Sequence, residues 1–381
     1  MKTKKNILLI ANSSWYFFNF RYDLIKHLIS EGFKVILISP HDKYSKKLSN
    51  LGVQNYRASF SRGSLNPKDV IHMYRDISLV KKNNQIDIVG AFGLQVSFLF
   101  GLVNFFTKIN TIYSITGLGY VFINKQIKAR TIRFFLSKLA LFIFKNSYSN
   151  FIFQNKSDQK IFKDFGLSLN DYSPIIPGSG VDTDKFYPKA KRPGSDISFL
   201  FPARMLIDKG IIETLEAFKF FLRHNPNSKL FLAGEMDKRN PACISPNVLK
   251  HYLQDKRYIF LGHVENMSEL YRKIDIVILP SYREGLSKVL IEAASSGLPI
   301  ITTDVPGCRE VVDHMGNGYL VLKQDTDSLL RAMKDISNDA SQIKSFGKLS
   351  RKKAVEVFAS KKINSQTIDM YNHVLEKSND N

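Results

Sequence analysis

The chain has 381 residues, 44% of them hydrophobic, and a formal net charge of +21. This length predicts two domains, and the hydrophobic content is sufficient for a packed core in each. The two cysteines, Cys243 and Cys308, lie far apart in the sequence, which excludes a disulfide framework and favours a reducing cytosol.

The positive charge is concentrated in the first half. Residues 1–190 contain 27 Lys and Arg against 11 Asp and Glu, and no acidic residue lies between Asp87 and Asp158. Such a half could bind nucleic acid, an anionic membrane or an acidic substrate, or could simply be a soluble basic surface. Nucleic acid is disfavoured, because the basic residues do not form a recognisable nucleic-acid-binding module.

The first half alternates strands with helices, which predicts a doubly wound parallel sheet. The apolar run Ile7–Ala11 follows three lysines, as in a signal peptide, but it is short and ends at Asn12, so we interpret it as the first strand. Residues 88–107 are uncharged over the length of a membrane span, but a strand followed by a helix preserves the alternation. The predicted strands are Asn6–Ala11, Lys34–Ser39, Val53–Ala58, Ile86–Phe92, Thr111–Thr116 and Phe151–Gln154. The predicted helices are Phe17–Glu31, Pro67–Lys82, Leu94–Ile109, Lys125–Lys145 and Lys156–Phe165.

The helix predicted at Lys125–Lys145 is both basic and aromatic. Phe134, Phe135 and Phe142 are interleaved with its Lys and Arg residues, which are Lys125, Lys128, Arg130, Arg133, Lys138 and Lys145. This composition suits a helix lying in a membrane interface, although a buried helix with one solvated basic face gives the same pattern. The absence of nearby acidic residues favours the membrane.

The second half repeats the alternation. The predicted strands are Ser198–Ala203, Lys229–Gly234, Tyr258–Gly262, Asp275–Pro280, Pro299–Thr303 and Gly316–Val321. The predicted helices are Gly210–His224, Ser245–Leu253, Met267–Ile274, Leu286–Ser296, 325–337, 340–357 and 361–377. The fold class is therefore α/β, with two doubly wound domains.

The stretch Asp275–Gly297 predicts a buried strand, a turn and a helix whose first amides lie near Ser287 and Lys288. A helix start of this kind binds anions, because its N–H groups are unpaired and the helix dipole is positive there. Glu284 in the turn and Glu292 in the helix flank this start and are good acceptors for sugar hydroxyls. A phosphate site between two hydroxyl acceptors suits a nucleotide sugar, although glutamates at this spacing also occur by chance.

A second candidate anion site follows the strand Ser198–Ala203. Arg204 and Lys209 lie five residues apart in the turn that opens the next helix. An Arg fork and a Lys point charge can both contact one diphosphate. The alternative is a solvated basic turn.

The spacing of Glu284 and Glu292, with Gly285 after the first, resembles the signature of the retaining glycosyltransferases of family 4. The resemblance implies the GT-B fold: an N-terminal Rossmann-like domain at 1–177, a donor-binding domain at 178–357, and residues 358–381 packing back on the first domain. It also implies a reaction without metal or cofactor, because Arg204 and Lys209 neutralise the leaving nucleoside diphosphate.

The resemblance further assigns the donor-binding residues. Glu292 is expected on the ribose hydroxyls, Glu284 on the donor sugar and main-chain groups near Val264 on the base. His263 could be catalytic, but a histidine at the end of a strand is more often a packing residue, so we expect it to pack. The helix start supplies the remaining donor contacts, which are Gly285, Leu286, Ser287, Lys288 and Val289. Asp182 and Asp184 form an Asp-x-Asp triplet of the kind that binds metal, but we interpret the triplet as structural.

On the acceptor side the sequence departs from the usual family pattern. The Gly-Gly turn of many relatives is replaced around Asn12 and Ser13, and the usual histidine is absent near Thr116 and Gly117. With Arg21, these four are the candidate acceptor residues. The segments Phe20–Arg21, Phe60–Pro67 and Gly117–Gly119, with the Arg/Lys and Glu/Glu sites, resemble membrane-associated N-acetylgalactosamine transferases that extend undecaprenyl-diphosphate-linked sugars. The loop Pro306–Glu310 resembles the loop of transferases that act on polyprenyl-linked sugars, although an ordinary Pro-Gly turn gives the same pattern.

The expected enzyme is therefore a cytoplasmic, peripheral membrane glycosyltransferase. It would move a sugar, with N-acetylgalactosamine as the best candidate, from a UDP-sugar to a polyprenyl-diphosphate-linked saccharide at the inner face of the plasma membrane. Two alternatives remain: a UDP-N-acetylhexosamine epimerase of the same architecture, and a family 4 transferase with a soluble acceptor.

Overall fold

The computed structural model describes residues 5–61, 63–64, 66–118, 127–146, 148–167, 169, 173–188, 196–238 and 240–379. The chain divides into two units. Unit 1 comprises Met1–Ser179 and Lys361–Asn381, and unit 2 comprises Gly180–Ser360. Each unit contains one parallel sheet of six strands. The predicted α/β class with two doubly wound sheets is confirmed.

The sheet of unit 1 has the strand order β3-β2-β1-β4-β5-β6. Its two central strands, β1 and β4, pair directly, with Ile7 opposite Ile88, and their apolar side chains are buried. The winding of the chain reverses between these two strands, which makes this position the topological switch point of the sheet. The strands are β1 (Asn6–Ile10), β2 (Lys34–Ser39), β3 (Gln54–Arg57), β4 (Ile88–Phe92), β5 (Thr111–Ile115) and β6 (Ser149–Phe153).

The first helical region of unit 1 is irregular. It begins with α1 (Ser14–Tyr16), passes through a π-helical turn at Phe17–Arg21 and continues as α2 (Tyr22–Ser30). Single π-helical turns are rare and are frequent at functional sites. The other helices are α3 (Ser45–Ser49), α4 (Pro67–Asn83), α5 (Leu94–Thr107), α6 (Ile127–Phe144), α7 (Lys156–Asp164) and, after unit 2 in the chain, α14 (Ser360–Asn379).

The sheet of unit 2 has the order β12-β11-β10-β7-β8-β9, so its switch point lies between β7 and β10. Its strands are β7 (Ser198–Phe201), β8 (Lys229–Ala233), β9 (Tyr258–Gly262), β10 (Ile276–Leu279), β11 (Ile300–Thr303) and β12 (Gly318–Val321). Its helices are α8 (Ile211–Phe221), α9 (Pro246–Tyr252), α10 (Met267–Tyr271), α11 (Lys288–Ser295), α12 (Thr326–Ser337) and α13 (Ala340–Val357).

Two apolar stretches that resemble membrane segments in the sequence belong to the sheet and helices of unit 1. The run at Ile7–Ala11 is buried in the sheet, as predicted, and residues 88–107 form β4, a turn and α5. Among the helices of the described ranges, none combines the length and the apolar content that a membrane crossing requires.

Candidate active site

The predicted donor residues lie at the carboxyl edge of the sheet in unit 2. Arg204 and Lys209 follow β7, and Glu284 follows β10, so they flank the switch point between these adjacent strands. The two loops are joined by backbone contacts: the Tyr282 N–H donates to the Asp208 carbonyl at 2.9 Å. Gly210 has φ +76° and lies against the backbone of Pro280, where a Cβ atom would collide with the carbonyl oxygen. Only glycine fits this close approach between the loops.

A close ion pair forms between the two loops. Nζ of Lys209 lies 2.6 Å from Oε1 of Glu284, and both side chains are mostly shielded, with 21% and 15% exposed. Burial acts to lower the pKa of Lys209, but the hydrogen-bonded Glu284 carboxylate and Asp208 outweigh it, so the pKa is raised. Lys209 is therefore a cation at physiological pH, held against a carboxylate that the phosphate of a ligand could displace.

Arg204 is held more loosely. Its NH1 lies 2.6 Å from Oδ2 of Asp237, which follows β8, and about half of the Arg204 side chain is exposed. An ion pair this exposed contributes about 0–1 kcal/mol, because water screens the charges and the long side chains lose entropy. Arg204 can therefore exchange Asp237 for an anionic ligand at little cost.

Glu284 is fixed by a neighbouring loop as well as by Lys209. The Glu284 N–H donates to the Pro306 carbonyl at 3.0 Å, and the Ser287 N–H donates to the Gly307 carbonyl at 3.1 Å. Gly307, at φ +84°, touches the backbone of Glu284, so a larger residue would displace it. The carboxylate of Glu310 accepts from the Gly307 N–H at 2.6 Å and holds this loop.

The helix start predicted near Ser287 and Lys288 is present. The helix α11 begins at Lys288 with Ser287 at the N-cap, and within the described residues the Ser287 side chain makes no capping hydrogen bond. The first-turn amides are thus not covered by a side-chain cap, as an anion site requires. The other predicted members of this turn, Gly285, Leu286 and Val289, are half-buried.

Glu292 lies on α11 and is buried. Its Oε1 is 3.9 Å from Nζ of Lys288. Burial raises the pKa of Glu292, and the positive charges of Lys288 and Lys185 offset only part of this effect. The carboxylate is thus desolvated, and a pair of ribose hydroxyls could donate hydrogen bonds to it.

Two further sequence interpretations concern unit 2. Val264 is half-buried just beyond β9, but His263 is exposed, so the expectation that His263 packs into the domain is wrong. His263 follows β9, which is the edge strand of the sheet and has no neighbouring strand on one side. Asp182 accepts from the N–H groups of Asp184 and Lys185 at 2.9 and 3.0 Å, so its side chain closes the turn that follows it.

The candidate acceptor residues lie at the carboxyl edge of the sheet in unit 1. Asn12 and Ser13 follow β1, and Thr116 and Gly117 follow β5. Ser13 is used structurally, because its hydroxyl accepts from the Tyr16 N–H at 3.2 Å and caps α1. Arg21 ends the π-helical turn and is buried.

Some residues of the segments that resemble N-acetylgalactosamine transferases lie outside the residues that the structure describes. These positions are Arg62, Leu65 and Gly119, together with Lys125 of the basic segment. The backbone of α6 is described from Ile127, but the side chains of Lys128, Arg130 and Arg133 are not. In the part of the chain that the structure does describe, no group of three or more His, Cys, Asp or Glu side chains could hold a metal ion.

Residues 182–353 match the family described as "Glycosyl transferases group 1". The chain is also 30% identical over 315 residues to the N,N'-diacetylbacillosaminyl-diphospho-undecaprenol alpha-1,3-N-acetylgalactosaminyltransferase of Campylobacter jejuni, covering 79% of this chain and 81% of that protein. The chain belongs to the group 1 glycosyltransferases. The resemblance inferred from Glu284, Gly285 and Glu292 is confirmed.

Two further proteins are similar to this chain, one in sequence and one in fold. The UDP-Gal:alpha-D-GlcNAc-diphosphoundecaprenol alpha-1,3-galactosyltransferase of Escherichia coli is 25% identical over 233 residues, covering 58% of this chain and 59% of that protein. The sucrose-phosphate synthase of Thermosynechococcus elongatus superposes with a TM-score of 0.79 at 17% identity, covering 98% of this chain and all of that one. The second likeness supports the fold of this glycosyltransferase.

Sequence reasoning missed two neighbours in the glycosyltransferase site. Asp237 pairs with Arg204 across a sequence separation of 33 residues. Cys308 is buried beside Lys209 and Glu284, and burial, with a contribution from Glu284, raises the pKa of its thiol to about 12. The thiol is therefore neutral and adds no charge to the ion pair. In the sequence, the resemblance of Pro306–Glu310 to other transferases was the one indication that the loop containing Cys308 belongs to the site.

Proposed function

We propose that this glycosyltransferase moves an N-acetylhexosamine, with N-acetylgalactosamine as the first candidate, from a UDP-sugar to an undecaprenyl-diphosphate-linked saccharide. The observation that carries the proposal is the likeness to the Campylobacter jejuni N-acetylgalactosaminyltransferase. It spans 315 residues, more than unit 2 contains, and so extends into unit 1. The name of the Escherichia coli relative supports a UDP-linked donor and a diphosphoundecaprenol-linked acceptor.

In the proposed reaction the configuration of the sugar is retained. Lys209 and Arg204 turn from Glu284 and Asp237 to the diphosphate of the donor and stabilise the charge that develops when its bond to the sugar breaks. Glu284, released from Lys209, accepts a hydroxyl of the donor sugar, and Glu292 accepts the ribose hydroxyls. The leaving phosphate oxygen takes the proton of the acceptor hydroxyl, so no separate base is required.

One assay tests the donor, the acceptor and the proposed independence from metal. The purified full chain is given a panel of UDP-sugars with and without undecaprenyl-diphosphate-linked acceptors. We expect transfer with an N-acetylhexosamine donor, the same rate in EDTA as in its absence, and no epimerised UDP-sugar. Transfer abolished by EDTA and restored by magnesium or manganese would contradict the metal-free route. Epimerisation without acceptor would favour the epimerase, and transfer only to soluble sugars would contradict the lipid-linked acceptor.

We further propose that α5 and α6 place the enzyme on an anionic membrane. Their exposed aromatic side chains, which we call the aromatic patch, form two contacting groups. Phe105 contacts Phe106 and stacks on Phe142 with centroids 5.3 Å apart, and Phe134 contacts Phe135. Lys138 lies 5.6 Å above the ring of Phe134, so positive charge borders the apolar surface. The exposed fractions are 50% for Phe105, 73% for Phe106, 58% for Phe134, 66% for Phe135 and 62% for Phe142. Such a patch suits an interfacial surface more than a solvated one.

Joint substitution of Lys128, Arg130 and Arg133 by Glu is expected to weaken co-sedimentation with anionic liposomes. Each basic residue near such a surface contributes about 1 kcal/mol, and salt screens this attraction. The triple variant is expected to lose transfer to the lipid-linked acceptor and to keep UDP binding. The control is the joint substitution of Lys68, Lys81 and Lys82 on α4, which makes the same charge change on another helix of unit 1. Equal binding to neutral and anionic liposomes, or an equal loss in the control, would leave α6 as a solvated basic helix.

A further inference from the structure

A small pocket lies at the carboxyl edge of the sheet in unit 1, remote in sequence from the donor residues. Its polar lining comes from Arg21 at the end of the π-helical turn, Ser114 of β5, Gln154 after β6 and Thr367 of α14. Isoleucines of β5 and β6 form part of the rest of the wall, and the pocket has room for about one water-sized group. Three of these polar side chains, Arg21, Ser114 and Gln154, can donate hydrogen bonds into the pocket, and no carboxylate is among the lining residues.

Arg21 is the charged group of this pocket. It is 4% exposed, and within the described ranges no carboxylate lies at ion-pair distance. Its two hydrogen bonds are long: Nε donates to the Tyr16 hydroxyl at 3.3 Å and NH1 to the Gly178 carbonyl at 3.4 Å. The guanidinium also lies 4.7 Å from the centroid of the Phe92 ring at the end of β4. These neutral contacts compensate a buried charge only in part, because the burial of a charge is costly unless an opposite charge pairs with it.

Gln154 gives an independent indication of a ligand. It is 8% exposed and lines the same pocket, and its side-chain amide makes no hydrogen bond within the described part of the chain. Buried amides are normally hydrogen-bonded, since an unpaired one costs desolvation energy. The Thr367 hydroxyl donates to the Ile363 carbonyl at 2.8 Å, so its hydrogen is used within α14 and is not offered to the pocket. Arg21 and Gln154 therefore present unpaired N–H groups to one small space.

We infer that this pocket holds one phosphate oxygen of the diphosphate that joins the acceptor saccharide to its lipid. The inference rests on the proposed function, because the phosphate belongs to the lipid-linked acceptor proposed there. A phosphate oxygen supplies the negative charge that Arg21 lacks and accepts from the Gln154 amide, and the pocket admits a group of that size. The pocket also lies where β5 and β6 end, next to the residues Thr116 and Gly117 that follow β5.

Two acceptors that differ only in the phosphate test this inference. One is an N-acetylhexosamine joined to an undecyl chain through a diphosphate, and the other is the undecyl glycoside of the same sugar. In the full chain, Arg21→Gln and Gln154→Glu are each expected to lower kcat/KM for the diphosphate acceptor by about 10- to 100-fold, because charge-assisted hydrogen bonds are lost. The rate on the neutral glycoside and the Kd for UDP are expected to change less than about threefold.

Gln154→Glu keeps the test valid if Arg21→Gln does not fold, because the new carboxylate pairs with Arg21 while it repels phosphate. Equal losses on both acceptors, or no loss on either, would overturn the inference. Reduced binding of anionic liposomes by Gln154→Glu, with the acceptor preference unchanged, would assign the pocket to a lipid headgroup and would also overturn it.

A binding measurement separates this inference from the proposed function. If the wild type transfers sugar to neither acceptor, undecyl diphosphate is titrated into the protein with UDP held at saturation. Binding that both variants abolish would support the phosphate pocket while the proposed function fails. Binding that is absent, or unchanged in both variants, would overturn the pocket as well.

Discussion

Lys209→Ala is expected to lower kcat by about 100- to 1000-fold, the range observed when one electrostatic contact to a developing charge is removed. The substitution has two consequences in this structure. It removes a cation that faces the leaving diphosphate, and it leaves the Glu284 carboxylate, 2.6 Å away, without its partner. The loss should fall on kcat more than on KM, because the charge is needed most as the bond to the sugar breaks.

Three companion variants make this prediction specific. Lys209→Arg keeps the charge but changes its geometry, so we expect partial activity. Glu284→Ala should lower turnover with little effect on UDP binding, and Arg204→Ala should also reduce activity strongly. The matched control is Lys273→Ala, which breaks an exposed ion pair with Glu269 in the same unit. A kcat for Lys209→Ala within threefold of the wild-type value would exclude Lys209 from the reaction.

The strands and the turn before α11 were predictable because they follow from local pattern. Buried parallel strands need continuous apolar runs, and Ile276–Leu279 is such a run followed by a glycine turn and a helical period. The helix was predicted to begin at Leu286, two residues before its observed start at Lys288. The five-residue helix α3 was not predicted, because Ser45–Ser49 is too short to show a helical period.

The pairings that build the two sites could not be predicted from the residues in isolation. Lys209 meets Glu284 across 75 positions because β7 and β10 are neighbours in the sheet, and strand order is not written in any local motif. The family resemblance placed both residues at the donor site but not against each other. The pocket around Arg21 and Gln154 likewise depends on the ends of several strands meeting at one edge, so Gln154 carried no signal of its own.

Glu292→Gln is expected to weaken the binding of UDP and of the UDP-sugar by about 10-fold, since a hydrogen bond to a charged acceptor contributes about 1.5–3 kcal/mol and the amide retains part of it. The structural reason is that Glu292 is buried with Lys288 at 3.9 Å as its cation. A neutral amide keeps the shape of the side chain but loses the negative charge that favours ribose hydroxyl donors. Calorimetric titration of UDP measures the change, and Glu269→Gln, at an exposed side chain of α10, is the matched control.

The pH dependence should distinguish this charge effect from a loss of shape. Because burial raises the pKa of Glu292, the folded protein keeps a proton at pH values where the unfolded chain has released it. Stability of the unliganded protein therefore falls as pH rises from the unfolded pKa through the folded one, and the cost is fully present above that window. Glu292→Gln removes the cost, so its Tm at pH 8 should equal or exceed that of the wild type.

Donor affinity should follow the opposite trend. The wild type needs the carboxylate, so its affinity for UDP should rise, relative to that of Glu292→Gln, as pH increases through the raised pKa of Glu292. A variant that binds UDP more weakly and also melts earlier at pH 8 would show that Glu292 contributes mainly to packing. A variant that binds less tightly but is at least as stable would show that the buried carboxylate is retained, at a cost in stability, for the ligand.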